Sequence, residues 1–529
     1  MATVAQVIAR SLARAGVRYV FGHPGGEVAH LIEALRREGI PFVLTRHEAT
    51  AAFMAASWGE LSGQPGVCLS TLGPGATNLL SGVAHAFLDR CPLVAITAQL
   101  ATSRQVQATH QHLDLAALYA PVTKATITVG ADTAGVAVER ALYLAMAERP
   151  GPVHLIVPSN VASQESPGPV WDRPLSIPAR PGVDPAAIEA AGELLARAHR
   201  PAVLVGIGAV RCGASEPLRR LAEALRAPVV TTPKAKGILP EDHPLAAGVL
   251  DMTGDAVVDE LLREADLLVT AGLDVVELIK PWTFEAPVVH LDTVPNVERL
   301  YAARLEVIGD VAAALAGLAE RARPSAWAEE RLRVHRQRLR AALTARVPGL
   351  APQTVMEIVR EVLPRNGVVA CDVGAHKILL GQVWTAYEPR TYLVSNGLSS
   401  MGAGLPGALA ARLWWPKRPV VAIIGDGGFG MYLGELETAV RLGVALPIVV
   451  LVDGSLSLIK LGQLQRGYLP SGVDFGCPRL AEIARGFGAV GVRVETAEAV
   501  RAAMEQALGH SGITVIEAIV DAGAYSGGE

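Results

Sequence analysis

Two aspartates, Asp426 and Asp453, lie 27 positions apart, and each follows an apolar run. The first run is PVVAII at 419–424 and the second is PIVVLV at 447–452, with a helical segment between them. Apolar runs of this length are typical of buried strands. In an open parallel sheet the carboxyl ends of the strands share one edge, and ligands bind there. The pair therefore predicts two carboxylates at one ligand-binding edge.

Glycines surround the first aspartate in GDGG at 425–428 and allow backbone N–H groups to approach a phosphate at a helix start. Carboxylates beside a phosphate would repel it unless a cation lay between them. Mg²⁺ prefers oxygen ligands at about 2.0–2.1 Å and is commonly shared between a carboxylate and a diphosphate. We therefore expect a diphosphate bridged by Mg²⁺. The alternative is that Asp426 and Asp453 are ordinary turn residues, since Asp-Gly is a common turn dipeptide.

Short Val- and Ile-rich runs alternate with helical segments along the 529 residues, as is typical of parallel sheets covered by helices. Two segments interrupt the pattern: a proline-rich stretch at 163–185 and a charged helical stretch at 320–353 that ends in proline and glycine. We predict an α/β fold with domains at 1–165, 185–322 and 350–529.

Glycine-rich strand-to-helix turns occur in the first and last of these blocks, at 70–82 and 423–430. The middle block has only LVGIGAVRCGA at 204–214. A lone GxG-like turn is weak evidence for a nucleotide.

Charge and cysteine usage exclude several classes of protein. Charged residues make up 19% of the chain and the formal net charge is −4. The chain therefore lacks the excess of basic residues that is typical of nucleic-acid-binding proteins. The five cysteines are scattered singly, which fits a reducing cytoplasm better than a zinc site or a disulfide scaffold. Arginines interrupt the first helical segment, which argues against a signal peptide, and no apolar run approaches the roughly 20 residues that span a bilayer. We expect small-molecule partners, with no nucleic acid and no membrane.

The stretch from Asp426 to Asp453 resembles the thiamine diphosphate signature, in which Gly-Asp-Gly is followed by a second metal ligand after slightly under thirty residues. The resemblance covers nearly the whole chain. It is closest to acetolactate synthase-like proteins, within the group that includes pyruvate oxidase and benzoylformate decarboxylase. It implies three doubly wound parallel-sheet domains: pyrimidine-binding, central Rossmann-like and diphosphate-binding.

The same resemblance implies that Asp426, Asp453 and the backbone carbonyl of Ser455 bind Mg²⁺. The family usually has asparagine at the position of Asp453. An aspartate there keeps an oxygen donor but adds negative charge beside the diphosphate.

A buried glutamate in the first domain is the family's second requirement, because it hydrogen-bonds the cofactor's aminopyrimidine, which removes the thiazolium proton. The stretch at 40–61 predicts a strand and then a helix that begins near Glu48. Arg-His-Glu at 46–48, followed by small residues, matches the family's pattern and implies a catalytic role for Glu48. The alternative is that Glu48 is only a favourable charge in a first helical turn.

Four further motifs resemble the family's cofactor-binding turns: FGHPGGE at 21–27, LGPGATN at 72–78, CDVGAHKILL at 371–380 and SNGLSSMGAGLPGA at 395–408. The resemblance implies that His376 contacts a phosphate and that the Ser399 carbonyl accepts from the pyrimidine amino group. Met401 would hold the cofactor in a bent shape, although a methionine in an apolar stretch is usually a core residue. The implied cofactor-binding residues are Pro24, Gly25, Asn78, Gly374, His376, Ser399, Met401, Gly425, Gly427, Gly428, Ser455 and Leu456.

The stretch at 108–124 falls where relatives place a glutamine loop beside the reacting carbon, with Gln111 at that glutamine. His110 and His112 flank it. Imidazole exchanges protons near neutral pH, so either histidine could act on a carbonyl-derived alkoxide. Two solvated loop histidines are the alternative. The candidate catalytic residues are thus Glu48, Gln111, His110 and His112.

Two family features are missing. Acetolactate synthases of branched-chain synthesis carry a tryptophan where this chain has Leu461 or Gly462, so the usual second-substrate pocket is altered or absent. The middle-block segments at 246–258 and 271–281 lack the Met-His-Gly and Arg-Phe-Asp-Asp patterns of FAD-binding members. We therefore do not expect FAD.

These observations predict a thiamine diphosphate- and Mg²⁺-dependent enzyme of the acetolactate synthase kind. It would decarboxylate a 2-oxo acid such as pyruvate and transfer the acyl carbanion to a second carbonyl. A non-ligating decarboxylase or aldehyde lyase is the nearest alternative. A cofactor-binding protein without turnover is another, against which Glu48 and the Gly-Asp-Gly turn argue. In relatives two subunits form each site, so we expect a homodimer or homotetramer.

Overall fold

The computed structural model describes residues 1–107, 110–168, 177–476 and 478–526. Its strands form three six-stranded sheets, and every pairing between strands in them is parallel. Across the described part of the chain, no helix is both long enough and apolar enough to cross a bilayer. Cys477 and part of the proline-rich stretch predicted as a domain boundary lie outside the described residues.

The strands follow in chain order, six to a sheet. The first sheet contains β1 (Val20–His23), β2 (Phe42–Leu44), β3 (Gly66–Ser70), β4 (Leu93–Gln99), β5 (Ala125–Thr128) and β6 (Pro152–Pro158). The central sheet contains β7 (Pro201–Val205), β8 (Val229–Thr231), β9 (Ala246–Val249), β10 (Leu267–Ala271), β11 (Val288–Asp292) and β12 (Ala303–Ile308). The third sheet contains β13 (Val368–Cys371), β14 (Tyr392–Val394), β15 (Val420–Gly425), β16 (Leu446–Val452), β17 (Val490–Val494) and β18 (Ile513–Ile519).

Helices lie between these strands. Those of the first third of the chain are α1 (Val4–Arg14), α2 (Ala29–Arg37), α3 (Glu48–Ser62), α4 (Pro74–Leu88), α5 (Leu115–Tyr119), α6 (Ala134–Met146) and α7 (Ser159–Ala162). Those of the middle are α8 (Pro185–Arg197), α9 (Ile207–Arg211), α10 (Ser215–Leu225), α11 (Asp255–Arg263), α12 (Val311–Ala319) and α13 (Glu329–Ala342). The remainder are α14 (Pro352–Val362), α15 (Ala375–Val383), α16 (Gly404–Trp414), α17 (Asp426–Met431), α18 (Glu435–Leu442), α19 (Ser457–Gln465), α20 (Leu480–Gly486) and α21 (Ala497–Gly509).

Each sheet has a switch point, at which the strands that follow in sequence are laid down on the opposite side of the sheet. The first and third sheets share one topology, β2-β1-β3-β4-β6-β5 and β14-β13-β15-β16-β18-β17, whereas the central sheet runs β12-β11-β10-β7-β8-β9. The direction of winding changes between β1 and β3, between β7 and β10, and between β13 and β15. Such switch points leave a crevice at the carboxyl ends of the strands, where ligands bind in open α/β sheets. The predicted α/β class with three doubly wound parallel sheets is confirmed.

The local predictions around the acidic residues are also confirmed. Strand β2 is followed by α3, which begins at Glu48 itself, and β15 and β16 end immediately before Asp426 and Asp453. Every residue of β4, β6 and β16 is buried, as expected of strands covered by helices on both faces. Nearly every residue of α3 is buried too, so its alanines permit close packing on all sides.

The described chain packs into two compact units. One contains residues 1–178, 398–416 and 432–442, and the other contains residues 179–397, 417–431 and 443–529. Helices α16 and α18 thus pack with the first sheet although the predicted third domain includes them in sequence. Trp414 of α16 contacts Trp58 of α3 edge-on, with ring centroids 5.0 Å apart. The predicted domain limits themselves stay predictions.

Candidate active site

The two predicted metal-ligand turns meet at the carboxyl edge of the third sheet. Asp426 is the first residue of α17 and is buried. Its Oδ1 accepts a hydrogen bond from the Gly427 N–H at 2.8 Å, and its Oδ2 accepts from the N–H groups of Asp453 at 3.1 Å and Gly454 at 2.8 Å. Residues 27 positions apart in sequence are therefore in direct contact.

The second carboxylate is held by its own turn. Asp453 Oδ1 accepts from the Ser455 N–H at 3.0 Å, and Oδ2 accepts from the Ser457 hydroxyl at 2.7 Å. Burial raises the pKa of both aspartates, and the charge of Asp453 raises the pKa of Asp426 further. Two partly desolvated carboxylates side by side form an oxygen-donor set that a hard cation would stabilise.

No group of three or more His, Cys, Asp or Glu side chains in the described ranges is arranged to hold a metal ion. The predicted metal ligands include two such side chains, those of Asp426 and Asp453. The third predicted ligand is the backbone carbonyl of Ser455. The three are therefore a set of the kind that Mg²⁺ uses when it shares its remaining ligands with phosphates and water.

His376 lies across the switch point of the third sheet, between β13 and β15. A Cβ added to Gly374 or to Gly425 would come within 2.9 Å of its ring, so glycine is needed at both positions. Burial lowers the pKa of His376 to about 4, and the backbone of Asp372 opposes that shift by hydrogen bonding to the ring. Nε2 is buried and has no partner among the described residues. A buried polar atom without a partner at this position fits a phosphate oxygen.

Tyr525 near the end of the chain also lies beside the aspartates, and the motif search missed it. Burial raises the pKa of its phenol, and the charges of Asp453 and Asp426 raise it further. With Leu458 and Leu461 it lines a small cavity of about 80 Å³. Leu456, a predicted cofactor residue, is fixed there through its N–H, which donates to the Val473 carbonyl at 2.8 Å. No sequence signal distinguished Tyr525 from a core aromatic.

The candidate catalytic glutamate belongs to the other unit. Glu48 begins α3, and its side chain is buried. Asn78, a predicted cofactor residue in α4, donates a hydrogen bond from Nδ2 to Glu48 Oε2 at 3.0 Å. A Cβ on Gly75 would lie 3.4 Å from Glu48 Oε1, so the glycine loop at 72–78 packs directly over the carboxyl group. The structure thus brings two of the predicted motifs together around one carboxylate.

Gln111 borders the same glycine loop. A Cβ on Gly73 would lie 2.9 Å from Gln111 Cβ, and Gln111 itself has a left-handed backbone with φ of 61°. His110 is exposed and His112 is half-buried. Gln111 and Glu48 therefore pack against the same glycine loop, Gln111 at Gly73 and Glu48 at Gly75. Ala108 and Thr109, at the start of the predicted glutamine segment, lie outside the described residues.

A second carboxylate near this loop escaped the motif search. The Thr71 hydroxyl donates to Glu27 Oε2 at 2.6 Å, across the switch point between β1 and β3. A Cβ on Gly25 would lie 2.4 Å from Thr71 Oγ1, so the predicted cofactor turn at Pro24 and Gly25 packs against the same hydroxyl. The sequence signal was present, because Glu27 ends the FGHPGGE motif.

The predicted pyrimidine contacts, Ser399 and Met401, also belong to the unit of the first sheet. Ser399 is exposed and has a left-handed backbone with φ of 52°, and Met401 is half-buried rather than a core residue. Next to them, a Cβ on Gly402 would collide with the ring of Tyr432. The candidate residues therefore form two groups, one around Glu48 and one around Asp426 with Gly425, Gly427, Gly428, Asp453 and His376.

Comparison with known proteins agrees with this division. Residues 2–118 match the profile of the thiamine pyrophosphate enzyme N-terminal TPP binding domain, 188–318 match the central domain, and 372–518 match the C-terminal TPP binding domain. Glu48 lies in the first matched range, and both aspartates lie in the last.

Full-length relatives point to the same family. An acetolactate synthase of Bacillus subtilis is 32% identical over 98% of this chain and 93% of its own length. A catabolic acetolactate synthase of Raoultella terrigena is 32% identical over 98% and 95%, respectively. The large subunit of acetolactate synthase isozyme 3 of Escherichia coli is 30% identical over 96% and 92%. The chain belongs to the thiamine pyrophosphate enzyme family and is a thiamine diphosphate-dependent enzyme of the acetolactate synthase type.

Proposed function

We propose that the enzyme binds thiamine diphosphate through Mg²⁺, decarboxylates a 2-oxo acid such as pyruvate and transfers the acyl group to a second carbonyl. The observation that carries the metal assignment is the contact between Asp426 and Asp453. Asp426, Asp453 and the Ser455 carbonyl would hold the ion, and the glycine turn at 425–428 and His376 Nε2 would hold the diphosphate. Leu456 and Gly374 would complete that half of the site.

When bound, thiamine diphosphate would supply a nucleophilic carbon and, next to it, a cationic thiazolium ring that takes up the electron pair left when CO₂ departs. Glu48 would exchange a proton with the pyrimidine ring nitrogen, oriented by the Asn78 amide at 3.0 Å. Ser399 and Met401 would position the ring, and Pro24 and Gly25 would line its edge. Gln111 would hydrogen-bond the substrate oxygen, and His110 or His112 would move a proton to or from it.

Acceptance of a small second carbonyl is supported by Leu461 and Gly462, the candidate positions for the tryptophan of branched-chain acetolactate synthases, because both residues are smaller than tryptophan. The names of the relatives, all acetolactate synthases, favour pyruvate as both donor and acceptor. A different outcome, protonation to an aldehyde, is favoured by Glu27, because a carboxyl group near the glycine loop could supply the proton.

Product analysis separates these outcomes. Purified protein with Mg²⁺, thiamine diphosphate and pyruvate is expected to form acetolactate. If acetaldehyde were the sole product, the enzyme would be a decarboxylase and not a ligase. Glu27→Gln, or replacement of both His110 and His112, should then change the ratio of the products. If pyruvate were untouched while a larger 2-oxo acid or an aldehyde was consumed, the substrate assignment would be wrong and the cofactor assignment would stand.

We further propose that the enzyme works without FAD. The switch point of the central sheet is the position where a dinucleotide phosphate would bind. There the Glu277 carboxylate accepts from the Ile207 N–H at 2.9 Å, and the Gly208 N–H donates to the Gly272 carbonyl at 2.8 Å. The N–H groups that a phosphate would need as hydrogen-bond donors are thus already bonded to acceptors of the protein itself.

A homodimer or homotetramer is the proposed assembly. Large apolar side chains after the second metal-ligand turn are exposed in the single chain, namely Leu458, Ile459, Leu464, Tyr468, Leu469 and Phe475. An apolar cluster of this kind marks an interaction surface. A second copy of the chain would cover it, and sedimentation of the purified protein should give a dimer or larger species. A monomer at micromolar concentration that is still active would contradict this proposal.

Two predictions from the sequence complete the proposal. The three domains would span 1–165, 185–322 and 350–529. The described cysteines are all free and buried, which supports a reducing compartment such as the cytoplasm.

A further inference from the structure

The backbone turn that leads into Glu48 is held by a buried carboxylate from a distant part of the sequence. Glu435, the first residue of α18, is 1% exposed. Its Oε1 accepts from the Arg46 N–H at 3.1 Å and from the His47 N–H at 2.9 Å, and its Oε2 also accepts from the Arg46 N–H at 3.1 Å. Arg46 and His47 immediately precede Glu48.

All the hydrogen bonds described for Glu435 come from neutral donors. The remaining one is from the Thr438 hydroxyl, which donates to Oε2 at 2.6 Å. Burying a carboxylate is costly, and neutral donors offset that cost only when their geometry is good. An apolar side chain could fill the same volume, but it would take the acceptor away from the N–H groups of Arg46 and His47 just before α3.

The rest of α18 and the residues before it pack on the same turn. Tyr432 contacts the His47 ring edge-on with centroids 6.1 Å apart, and it contacts Phe53 of α3 at 6.2 Å. The Arg441 guanidinium donates to the Leu44 carbonyl at the end of β2 at 2.6 Å. The turn between β2 and α3 is therefore fixed from outside at several points, and Glu435 makes the contacts nearest to Glu48.

We propose that Glu435 is a positioning residue for Glu48, an inference that rests on the proposed role of Glu48 in proton exchange with the cofactor. The direction of the Glu48 Cα–Cβ bond depends on the peptide groups before it, and Glu435 fixes those groups. Asn78 holds the carboxyl end of the same side chain from the opposite direction. Misplacement of a catalytic group by about 1 Å can slow a reaction by two orders of magnitude, so loss of this contact should affect catalysis beyond its effect on stability.

The test is the rate of hydrogen–deuterium exchange at the thiazolium carbon of bound thiamine diphosphate, measured by quenched NMR in protein saturated with Mg²⁺ and cofactor. Glu48→Gln should slow the exchange by about 100-fold, the lower range for acid–base catalysis. Glu435→Gln should slow it on the order of 10-fold, because an amide cannot accept with both of its terminal atoms. The double variant should be no slower than Glu48→Gln, because a residue that acts only through Glu48 adds nothing in its absence.

Glu33→Gln, on helix α2 of the same unit, is the control. Its carboxylate pairs with Arg36 and Arg37 of its own helix and is 43% exposed, so exchange should stay within about twofold of wild type. If Glu435→Gln does not fold, Glu435→Asp replaces it, since the shorter side chain keeps a carboxylate but withdraws it from the Arg46 and His47 N–H groups. A lowered melting temperature with wild-type exchange in Glu435→Gln or Glu435→Asp would reduce Glu435 to a structural role and overturn the inference. Wild-type exchange in Glu48→Gln would instead show that the proposed role of Glu48 is wrong.

Discussion

The central and third sheets each have a carboxylate at the glycine turn of their switch point, and the two carboxylates differ in what surrounds them. Glu277 in the central sheet accepts from the N–H groups of Ile207 and Asp274 and from the Thr232 hydroxyl. Asp426 in the third sheet accepts from the N–H groups of Gly427, Asp453 and Gly454. Each of the two has a neighbouring carboxylate that raises its pKa, Asp274 for Glu277 and Asp453 for Asp426. The hydrogen bonds of Glu277 join the turns after β7 and β10 across the switch point, whereas those described for Asp426 stay with its own turn and the turn after β16.

Under the proposed function, one topology would supply a structural turn in the central sheet and a ligand-binding turn in the third. In the central sheet the backbones also meet, since a Cβ on Gly272 would come within 2.2 Å of the Ala209 nitrogen. In the third sheet the ring of His376 lies between the two turns instead, and its buried Nε2 has no partner in the described part of the chain. A switch point with an incompletely paired polar group is the better candidate for a ligand.

The largest expected effect comes from replacing Asp426 and Glu277 by alanine, each in a separate variant. Asp426→Ala should weaken thiamine diphosphate binding in the presence of Mg²⁺ on the order of 1,000-fold, about 4 kcal/mol, because the metal loses a charged ligand. Glu277→Ala should leave the affinity within a few-fold of wild type while lowering the melting temperature. Calorimetric titration of both variants measures this. Equal losses of affinity would abolish the distinction between the two turns.

The pH dependence of stability should report on the carboxylate of the central turn. Burial raises the pKa of Glu277 from 4.5 to about 7. Because the folded state disfavours the charged form, stability from this group is fully present below pH 4.5 and is lost as the pH rises through 7. The loss amounts to about 3 kcal/mol. Denaturant titrations between pH 4.5 and 8 should show this slope in wild type and not in Glu277→Gln. A slope shared by both proteins would assign it to other groups.

A smaller effect is expected at Asp453, the second of the two proposed metal-binding side chains. Asp453→Asn keeps an oxygen ligand and removes one charge beside the diphosphate, so cofactor affinity should change by no more than about threefold. Asp453→Ala should lose roughly tenfold, because the ligand itself disappears. Both variants are tested by measuring activity as a function of Mg²⁺ concentration. If both variants matched wild type, Asp453 would be only a turn residue.

The smallest expected effect concerns the closed central turn. Purified enzyme should show no flavin absorbance near 450 nm, and added FAD should change neither activity nor melting temperature. Replacement of Glu277 should not create flavin binding, because the contact between Gly208 and Gly272 remains. Stoichiometric flavin in the isolated protein would mean that this switch point opens.

Much of this site follows from local sequence. The contact between Asp426 and Asp453 is predictable because strand ends in a parallel sheet share an edge, and the start of α3 at Glu48 follows from the end of an apolar run. The contacts of Glu435 with Arg46 and His47 join residues 389 and 388 positions apart, and no periodicity encodes such a pair. Tyr525 and the hydrogen bond between Thr71 and Glu27 likewise depend on tertiary packing. Local patterns predict elements and their edges, whereas the partners of a buried polar group depend on the whole fold.

The packing of α16 and α18 with the first sheet has a consequence for how such enzymes can be recombined. A chimaera that joins the first 350 residues of one relative to the remainder of another would respect the predicted domain limits. It would nevertheless replace the helices that bear Trp414 and Glu435, whose partners Trp58, Arg46 and His47 would come from the other parent. If crossovers are placed on either side of 398–416 and 432–442, these segments come from the same parent as the first sheet and each contact is kept. The unit that must be exchanged as a whole is therefore discontinuous in sequence.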